Sequence, residues 1–411
     1  MRRRVVVTGM GVVAPNARSV DDFLDALLAG RSGVGRVGVF DASHLPTKIA
    51  GEVKGPLESP LPDRKIAFAL DAARQAYAQA SIGAAPLPPG GGVVLGIGLE
   101  LFAMPDLVAR RRPGFTLPES LAERLRFMQT PSDLCVHLLA ERYGLDAPPC
   151  VHVSACAAGT DALGHALHLV ASGRRAWAMC GGTDSMINPL GMAGFATLQA
   201  TSTKNDAPER ASRPFDRRRD GFVMGEGAGV LVLEPLEHAL ARGAEILAEV
   251  CGYGRSFDAH GISEPHPEGE GAALAMTRAL ADAGLRPEDV DAVNAHGTAT
   301  PKNDPVETRA LKRVLGARAK DVPVSATKSM IGHLISAAGA VEAIAAIACM
   351  NAGMVHPTIN LDEPDPECDL DYVPHVARRH PQRRVLSASY GFGGHNAAIV
   401  LASAEEARRG A

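Results

Sequence analysis

Short apolar runs alternate along this chain with Ala-rich runs of helical character. Runs rich in Val, Ile and Gly predict buried strands, and the longer Ala-rich runs predict helices. In the first half the predicted strands are Val5–Val7, Gly92–Gly96, Cys150–Ser154, Ala176–Cys180 and Val230–Leu233, and the predicted helices are Asp21–Leu28, Ile66–Ala80 and Asp161–Ala171. This alternation predicts a largely parallel sheet covered by helices.

The second half of the chain repeats the alternation of predicted strands and helices found in the first half. Its predicted strands are Glu249–Gly254, Ala292–Ala295, Val322–Ser325 and Ala398–Leu401, and its predicted helices are Gly271–Ala283 and Ala337–Met350. The string Val151–Ala155 before Cys156 resembles Val322–Ala326 before Thr327. We interpret this as an internal duplication with halves at 1–245 and 246–411. Chance similarity between Ala- and Val-rich segments is the alternative.

Composition narrows the class of protein. A length of 411 residues with 46% hydrophobic and 21% charged residues suits two packed α/β halves or one large core. A formal net charge of -4 argues against nucleic-acid binding. No apolar run approaches the roughly 20 residues of a membrane span. The N-terminus leads directly into Val5–Val7 without the apolar stretch of a signal peptide, so we expect a cytoplasmic protein.

One of the seven cysteines stands in an unusual context. Cys156 follows an apolar strand, opens a helix and has only small neighbours. A thiol at such an elbow lies at a helix N-terminus, where partial positive charge favours the thiolate. The alternative, a buried structural cysteine, fits the other six better, because they stand in ordinary apolar runs.

Two further segments carry candidate chemistry. A predicted strand ends at His296 and is followed by Gly297, Thr298 and Thr300, so a neutral imidazole and two hydroxyl groups are expected at one loop. Lys328 and His333 stand five residues apart in an apolar stretch, where a buried ammonium group needs a partner. A core histidine, and an unrelated surface lysine and histidine, are the alternative interpretations.

The chain also contains two glycine-rich segments between predicted strands. Gly391, Phe392 and Gly393 form a turn before the last strand, and such a turn brings backbone N–H groups close to a ligand oxygen, as an oxyanion hole requires. The segment Gly225–Gly229 lies between strand-like segments with no helix after it, so we predict a hairpin there and not a nucleotide site.

Taken together, these segments resemble the β-ketoacyl-acyl-carrier-protein synthases, with the type II elongating branch most similar. The resemblance rests on Cys156 in its small-residue elbow and on the strings NAHGTATPKNDPVET, SATKSMIGH and GFGGHN. The strings VVVTGMGVVAPN and RPFDRRRDGFVMGEGAGVLVLE extend it over almost the whole chain. It implies the five-layered αβαβα thiolase-like fold built from two duplicated halves, and usually a homodimer.

The resemblance also implies roles for individual residues. Cys156 would accept an acyl group from a carrier-protein thioester, with the amides of Cys156 and Phe392 as the oxyanion hole and Phe392 as a gate. His296 and His333 would stabilise the enolate formed when malonyl-carrier protein loses CO2, and Lys328 would order their pocket. The pantetheine arm would contact residues of three loops, namely Thr298, Thr300, Ser263, Gly391 and Gly393.

Partners and cofactors follow from the same resemblance. Acyl carrier protein, with its malonyl- and acyl-pantetheine thioesters, is the expected partner, and docking is expected at Arg64, Lys65 and Lys204. No organic cofactor or catalytic metal is expected, since CO2 release drives the reaction. Asn294 and Glu342 are weak candidates for binding a monovalent cation. A homodimer is expected, with a heterodimer of two related subunits as the alternative.

The chain departs from the family pattern in places. Ala388 stands where Asn is usual, Tyr390 where Phe is usual, and the region 99–143, expected to be an insertion or cap, differs most. Fatty-acid elongation and a polyketide or polyene pathway therefore both stay open. A non-catalytic chain-length factor is disfavoured because Cys156, His296 and His333 are present. A thiolase is rejected because the last glycine-rich turn has Phe392 and no cysteine, and the initiating branch because His333 stands where it has Asn.

Overall fold

The computed structural model describes residues 3–59, 61, 63–98, 113–114, 116, 119–120 and 133–409. Its strands are β1 Val5–Val13, β2 Val34–Arg36, β3 Ile49–Gly51, β4 Gly91–Ile97, β5 Cys150–His152, β6 Trp177–Ser185, β7 Glu226–Pro235, β8 Ala248–Phe257, β9 Ala292–Asn294, β10 Val324–Ser325, β11 Met354–Val355, β12 Arg378–Arg379, β13 Arg384–Gly391 and β14 His395–Ser403. Its α-helices are α1 Val20–Leu28, α2 Arg64–Ser81, α3 Leu134–Tyr143, α4 Ala158–Ala171, α5 Pro189–Thr197, α6 Leu236–Arg242, α7 Glu270–Asp282, α8 Asn303–Leu315, α9 Lys328–Ile331, α10 Ala338–Asn351 and α11 Ala404–Arg408. Most of the divergent region 99–143 lies outside the described residues.

The main sheet is built from two half-sheets of identical topology. Its strand order is β10-β9-β13-β14-β8-β1-β7-β6-β4-β5. Each half contributes five strands to the main sheet. When these five are numbered in chain order, their order outward from the seam between β8 and β1 is first, fifth, fourth, second and third in both halves. Both halves have two antiparallel pairs next to the seam and two parallel pairs beyond them. The topology is therefore duplicated as predicted, while a boundary at 245/246 stays a prediction.

Two details of the predicted sheet are wrong. The sheet is mixed and not largely parallel, because the fifth strand of each half runs back antiparallel between the first and the fourth. The predicted hairpin at Gly225–Gly229 does not form, since β7 is one continuous strand paired with β1 and β6. A Cβ on Gly229 would lie 2.8 Å from the backbone nitrogen of Val341, so glycine here lets α10 approach the sheet.

Helices and half-sheets alternate in five layers. Helix α2 packs on β1, β7 and β6 at one outer face, and α7 packs on β8 and β14 at the other. Helices α4 and α10 lie between the half-sheets and contact strands of both. This arrangement is the αβαβα order expected for a thiolase-like fold. No helix within the described residues has the length and apolar character needed to cross a membrane.

The two central helices begin in equivalent ways. A 3-10 turn at Ala155–Ala157 precedes α4, and one at Ile335–Ala337 precedes α10. Ala155 and Ile335 both have positive φ, 49° and 44°. The residue equivalent to Cys156 is therefore Ser336, and the predicted equivalence with Thr327 is wrong. The second half carries an extra segment, residues 326–334, between its strand β10 and its elbow.

Helix α4, which follows Cys156, is expected to depend on a glycine of β4. A Cβ on Gly96 would lie 2.3 Å from the backbone carbonyl carbon of Ala158, the first residue of α4. Because backbone cannot rotate away, Gly96→Ala should lower the free energy of unfolding by about 1–3 kcal/mol in chemical denaturation. Gly35→Ala is the matched control, since its Cβ would meet nothing within 4 Å. Equal stability of the two variants would contradict this packing.

Candidate active site

Cys156 lies at the strained elbow between β5 and α4. The preceding Ala155 has a left-handed backbone, which is unfavourable for a residue with a Cβ and is often found at functional turns. The Cys156 side chain is buried, with 6% of the residue exposed. It nevertheless lines a cavity of about 240 Å³ that also reaches the exposed residues Glu264 and Lys302. The sulfur therefore has a passage to solvent.

The environment of this sulfur favours the thiol. Burial raises the pKa of Cys156 to about 11, although the Lys328 ammonium and the backbone N–H groups of Phe392 and Cys156 lower it. The predicted thiolate at the helix N-terminus is thus contradicted for the resting state. Apolar contact with Met192 and Phe222 in the same cluster accounts for the dominance of burial. The two N–H groups that face the sulfur are the donors an oxyanion hole requires.

His296 is held by a buried carboxylate on α8. The backbone N–H groups of His296 and Gly297 donate to the two oxygens of Glu307, at 2.7 and 2.8 Å. Burial raises the pKa of Glu307 to about 7, against the effect of these two amides. Sequence reasoning missed Glu307. A buried polar cluster in the first turns of the helix that follows the histidine loop, with Asn303, Asp304 and Glu307, carries no spacing that sequence alone could recognise.

His333 lies in the extra segment of the second half and its ring is fixed by the next elbow. The backbone N–H of Ile335 donates to His333 Nδ1 at 3.2 Å. Lys328 Nζ lies 3.2 Å from His296 Nδ1 and donates to it. In each neutral ring the proton is therefore on Nε2. The Nε2–H group of His333 is available as a donor, whereas the His296 ring also makes a hydrogen bond to the Tyr390 backbone.

The two imidazoles lie beside the thiol as a single cluster. The rings of His296 and His333 are 5.2 Å apart between centroids and nearly perpendicular, at 86°. Ligand atoms of Cys156, His296 and His333 all lie within 4.8 Å of one another. Burial lowers the pKa of both imidazoles well below 6.5, and the charge of Lys328 lowers both further. Both rings are therefore neutral at physiological pH.

Lys328 is the charged centre behind this cluster. Its side chain is 1% exposed and its ammonium group forms a salt bridge with Glu342 on α10. Burial raises the pKa of Glu342 to about 7, although Lys328 lowers it. Helix α10 is buried over Ala338–Met350, and Glu342 is the charged residue in that span. This contact confirms the expectation that a buried lysine here needs a partner.

Aromatic rings line the wall of the cavity. Phe392 lies 6.2 Å from Phe195, Phe195 lies 5.5 Å from Phe222, and Phe222 lies 5.3 Å from His333, all between ring centroids. Tyr390 packs 5.5 Å from His296 on the other side. Phe195 and Phe222 were not predicted, because isolated aromatics in separate segments carry no recognisable spacing. They give the reacting atoms an apolar surround.

Most predicted substrate-binding residues line this same cavity. Thr298, Thr300 and Ser263 line it, and the hydroxyl oxygens of the two threonines are 3.0 Å apart. Gly391 also lines it, and a Cβ there would lie 3.1 Å from the Cys156 nitrogen. Gly393 does not line the cavity, which corrects its prediction. Its N–H donates to the Ile262 carbonyl at 2.6 Å, so it supports the loop.

The three residues predicted to dock the carrier protein differ in their exposure and in their partners within the chain. Lys65 is 1% exposed and its ammonium group pairs with Asp63, which contradicts a docking role. Arg64 is bound to the buried Glu226 carboxylate and to the Val53 carbonyl, so its guanidinium is already used within the chain. The Lys204 side chain is 41% exposed, although its ammonium group also binds the Arg218 carbonyl and lies 4.0 Å from Asp220, so docking there stays a prediction.

Buried oxygens at the cation candidates have no hydrogen-bond partner. Asn294 Oδ1, Glu342 Oε2 and Ser387 Oγ are each unpaired within the described part of the chain. Asn294 and Ser387 are neighbours in the register of β9 and β13. Two neutral oxygens and one carboxylate oxygen suit a hard cation. Asn294 and Ser387 therefore fit the predicted cation by their neighbouring positions, whereas Glu342 is already paired with Lys328 and stays a prediction from the sequence.

Comparison with known families matches both halves of the chain. Residues 2–239 match the β-ketoacyl synthase N-terminal domain and residues 247–362 match the β-ketoacyl synthase C-terminal domain. The chain is 43% identical to 3-oxoacyl-[acyl-carrier-protein] synthase 2 of Synechocystis sp., covering 97% of this chain and 98% of the relative. It is 41% identical to the tetracenomycin polyketide synthase ketoacyl synthase alpha subunit of Streptomyces glaucescens, covering 99% and 98%.

Solved structures give the same result. A type II polyketide ketosynthase in complex with its acyl-carrier protein and bound to a hexaketide has a TM-score of 0.87 and 33% identity, covering 98% of this chain and 100% of that chain. The ishigamide ketosynthase/chain length factor has a TM-score of 0.86 and 33% identity, covering 98% and 100%.

Alkylation of Cys156 should report its raised pKa. Because thiolate is the reactive form, the iodoacetamide rate should rise roughly tenfold per pH unit between about pH 7 and 9. The rate is read by mass spectrometry of the Cys156 peptide. Free cysteine, with a pKa of about 8.5, is the control and should begin to level off in the same range. A plateau for Cys156 below about pH 9 would contradict the thiol state described above.

Proposed function

The chain belongs to the β-ketoacyl synthase family, and we propose that Cys156, His296 and His333 carry out its decarboxylating Claisen condensation. The enzyme is an acyltransferase-class ketosynthase of fatty-acid or polyketide synthesis. The observation that supports these roles is the meeting of one thiol and two neutral imidazoles in one cavity.

The first step is transfer of an acyl group to Cys156. The sulfur attacks the thioester carbonyl of an acyl-carrier protein, and the oxyanion lies against the N–H groups of Cys156 and Phe392. The pantetheine sulfur leaves and takes up the proton that the thiol gives up. Because one thiol is consumed and one is formed, this step needs no net proton.

The second step is decarboxylation of a malonyl thioester. CO2 departs, and the electrons of the broken C–C bond become an enolate on the thioester oxygen. The Nε2–H groups of His296 and His333 donate to this oxygen, and neutral donors stabilise the enolate without protonating its carbon. The enolate carbon then attacks the acyl-Cys156 thioester. The product is a 3-oxoacyl-carrier protein, and the released sulfur takes up one proton.

Three buried charged residues position these groups. Lys328 donates to His296 and to Glu342 and so fixes the ring that it faces. Glu307 holds the backbone on which His296 stands. None of them contacts the reacting atoms in this proposal. A monovalent cation held by Asn294 and Ser387, with the unpaired Glu342 Oε2 as a third oxygen ligand, would rigidify the strand ends.

The expected partner is an acyl carrier protein, which delivers both thioesters. Thr298, Thr300 and Ser263 line the route from the surface to Cys156 and would contact the pantetheine arm. Lys204 is the exposed cation that remains from the predicted docking set. A cytoplasmic location stays a prediction from the sequence.

A second ketosynthase-fold subunit is proposed at the β5 edge. β5 is the last strand of its half-sheet, its three residues are partly exposed, and Val153 beside it is 66% exposed. An edge strand with an exposed apolar residue is a natural pairing surface. Either an identical subunit or a related subunit would pair with the exposed edge of β5. The non-catalytic chain-length-factor alternative is not favoured, because the nucleophile and both imidazoles are in place.

Cys156→Gln should separate the two steps. The amide has no nucleophile, so acyl-enzyme and condensation should both disappear, while malonyl-carrier protein should still release CO2 because the imidazole pair is intact. Acyl-enzyme is read by intact mass and CO2 by a coupled assay. Cys251→Ala, a partly buried cysteine that does not line the cavity, should keep both steps. Acyl-enzyme that still forms on the Cys156→Gln variant, or loss of its CO2 release, would disprove the assignment.

His296→Ala should show the opposite pattern. Self-acylation at Cys156 should persist, whereas decarboxylation should fall by roughly 10²–10³-fold because an enolate donor is lost. The acyl-enzyme is trapped and weighed by mass spectrometry, and CO2 release is measured in parallel. Undiminished decarboxylation in a folded variant would remove His296 from the mechanism.

A further inference from the structure

One ion pair stands at the mouth of the cavity. Lys302 and Glu264 form a salt bridge, both line the cavity, and their side chains are 61% and 51% exposed. Among the described residues that line the cavity, Lys302 is the single lysine or arginine. Its position continues a series, since His296, Thr298, Thr300 and Lys302 all line the cavity from its buried end outward.

The salt bridge also joins two loops that carry catalytic groups. Glu264 lies in the loop that follows β8, and this loop holds the glycine-rich turn through two backbone hydrogen bonds. The Gly393 N–H donates to the Ile262 carbonyl at 2.6 Å, and the Asp258 N–H donates to the Gly394 carbonyl at 2.9 Å. Lys302 lies on the loop that begins at His296. The ion pair therefore ties the Phe392 turn to the histidine loop across the mouth.

The chemistry of a carrier arm matches this order of groups. A phosphopantetheine thioester presents, in sequence, a thioester, two amides and a phosphodiester. The cavity presents the thiol and imidazoles, then the two threonine hydroxyls, then the Lys302 ammonium. Resting on the function proposed above, we propose that Lys302 binds the phosphodiester of the incoming arm in place of Glu264, which frees the loop that holds the Phe392 turn.

The exchange is physically reasonable because the resident pair is weak. Both partners are more than half exposed, so water screens their attraction and little net free energy is lost when they separate. A phosphodiester offers the ammonium group an equivalent charge-assisted hydrogen bond. Asp258, the other acidic residue lining the cavity, is already bound to Asn396 and to the His266 N–H, so it does not replace Glu264 as the partner of Lys302.

The test compares two thioesters that differ only in the phosphate. Malonyl-phosphopantetheine and malonyl-pantetheine are condensed with acylated enzyme, and KM is measured for each. Lys302→Met should raise KM about tenfold for the phosphorylated substrate and leave the other within about twofold. Glu264→Gln should lower KM for the phosphorylated substrate alone, because the competing carboxylate is gone. Lys320→Met is the control, since Lys320 is 69% exposed, paired with Asp369 and absent from the cavity lining.

A binding readout keeps this proposal separate from the condensation itself. Phosphopantetheine should protect Cys156 from iodoacetamide in the wild type. Most of that protection should be lost in Lys302→Met. Pantetheine should protect Cys156 to the same extent in the wild type and in the variant. Equal KM changes for the two thioesters, or equal protection in wild type and variant, would overturn phosphate binding at Lys302. Failure of the wild type to condense malonyl-carrier protein with an acyl-carrier protein would instead refute the proposed function, while the protection assay would still decide this point.

Discussion

The active site depends on one buried ammonium group. Lys328 is 1% exposed, and it is tolerated because Glu342 on α10 compensates its charge. Replacing such a pair by apolar residues often stabilises a protein, so the pair is better explained by its effect on its neighbours. Its field lowers the pKa of His296 and His333 and opposes the rise in the pKa of Cys156. A single charge thus influences the protonation of the Cys156 thiol and of both imidazoles.

The duplicated fold explains why this charge and the nucleophile meet. Helices α4 and α10 are packed so closely that a Cβ on Gly159 would lie 2.9 Å from the Ser336 carbonyl oxygen, and a Cβ on Gly339 would lie 2.9 Å from the Thr160 nitrogen. The two elbows therefore face one centre. The halves have then diverged: the first half places a thiol at its elbow, and the second has Ser336 there and adds residues 326–334, which carry Lys328 and His333.

The sequence was sufficient to predict features that depend on local pattern. Strands such as β4 and β9 and the elbow at Cys156 follow from apolar runs that end in small residues. What it could not predict depends on long-range burial. The pKa of Cys156 is raised because aromatic and aliphatic side chains from distant segments surround it, which outweighs the helix N-terminus. The family resemblance predicted a carrier-protein docking role for Lys65, but its pairing with Asp63 allows it to be buried.

The distribution of charge in the cavity favours loss of CO2 at its inner end. The charged residues that line the cavity, Asp258, Glu264 and Lys302, lie toward the mouth, whereas the inner end holds a thiol and two neutral imidazoles within an aromatic wall. In the proposed mechanism a malonyl carboxylate that reaches this end leaves water for a largely apolar surround, and the Lys328 charge behind the imidazoles is already compensated by Glu342. Decarboxylation moves its localised charge onto a thioester oxygen, where two Nε2–H donors are already oriented. In the proposed mechanism the reactant carboxylate therefore gains less from this environment than the enolate does, and this difference would lower the barrier.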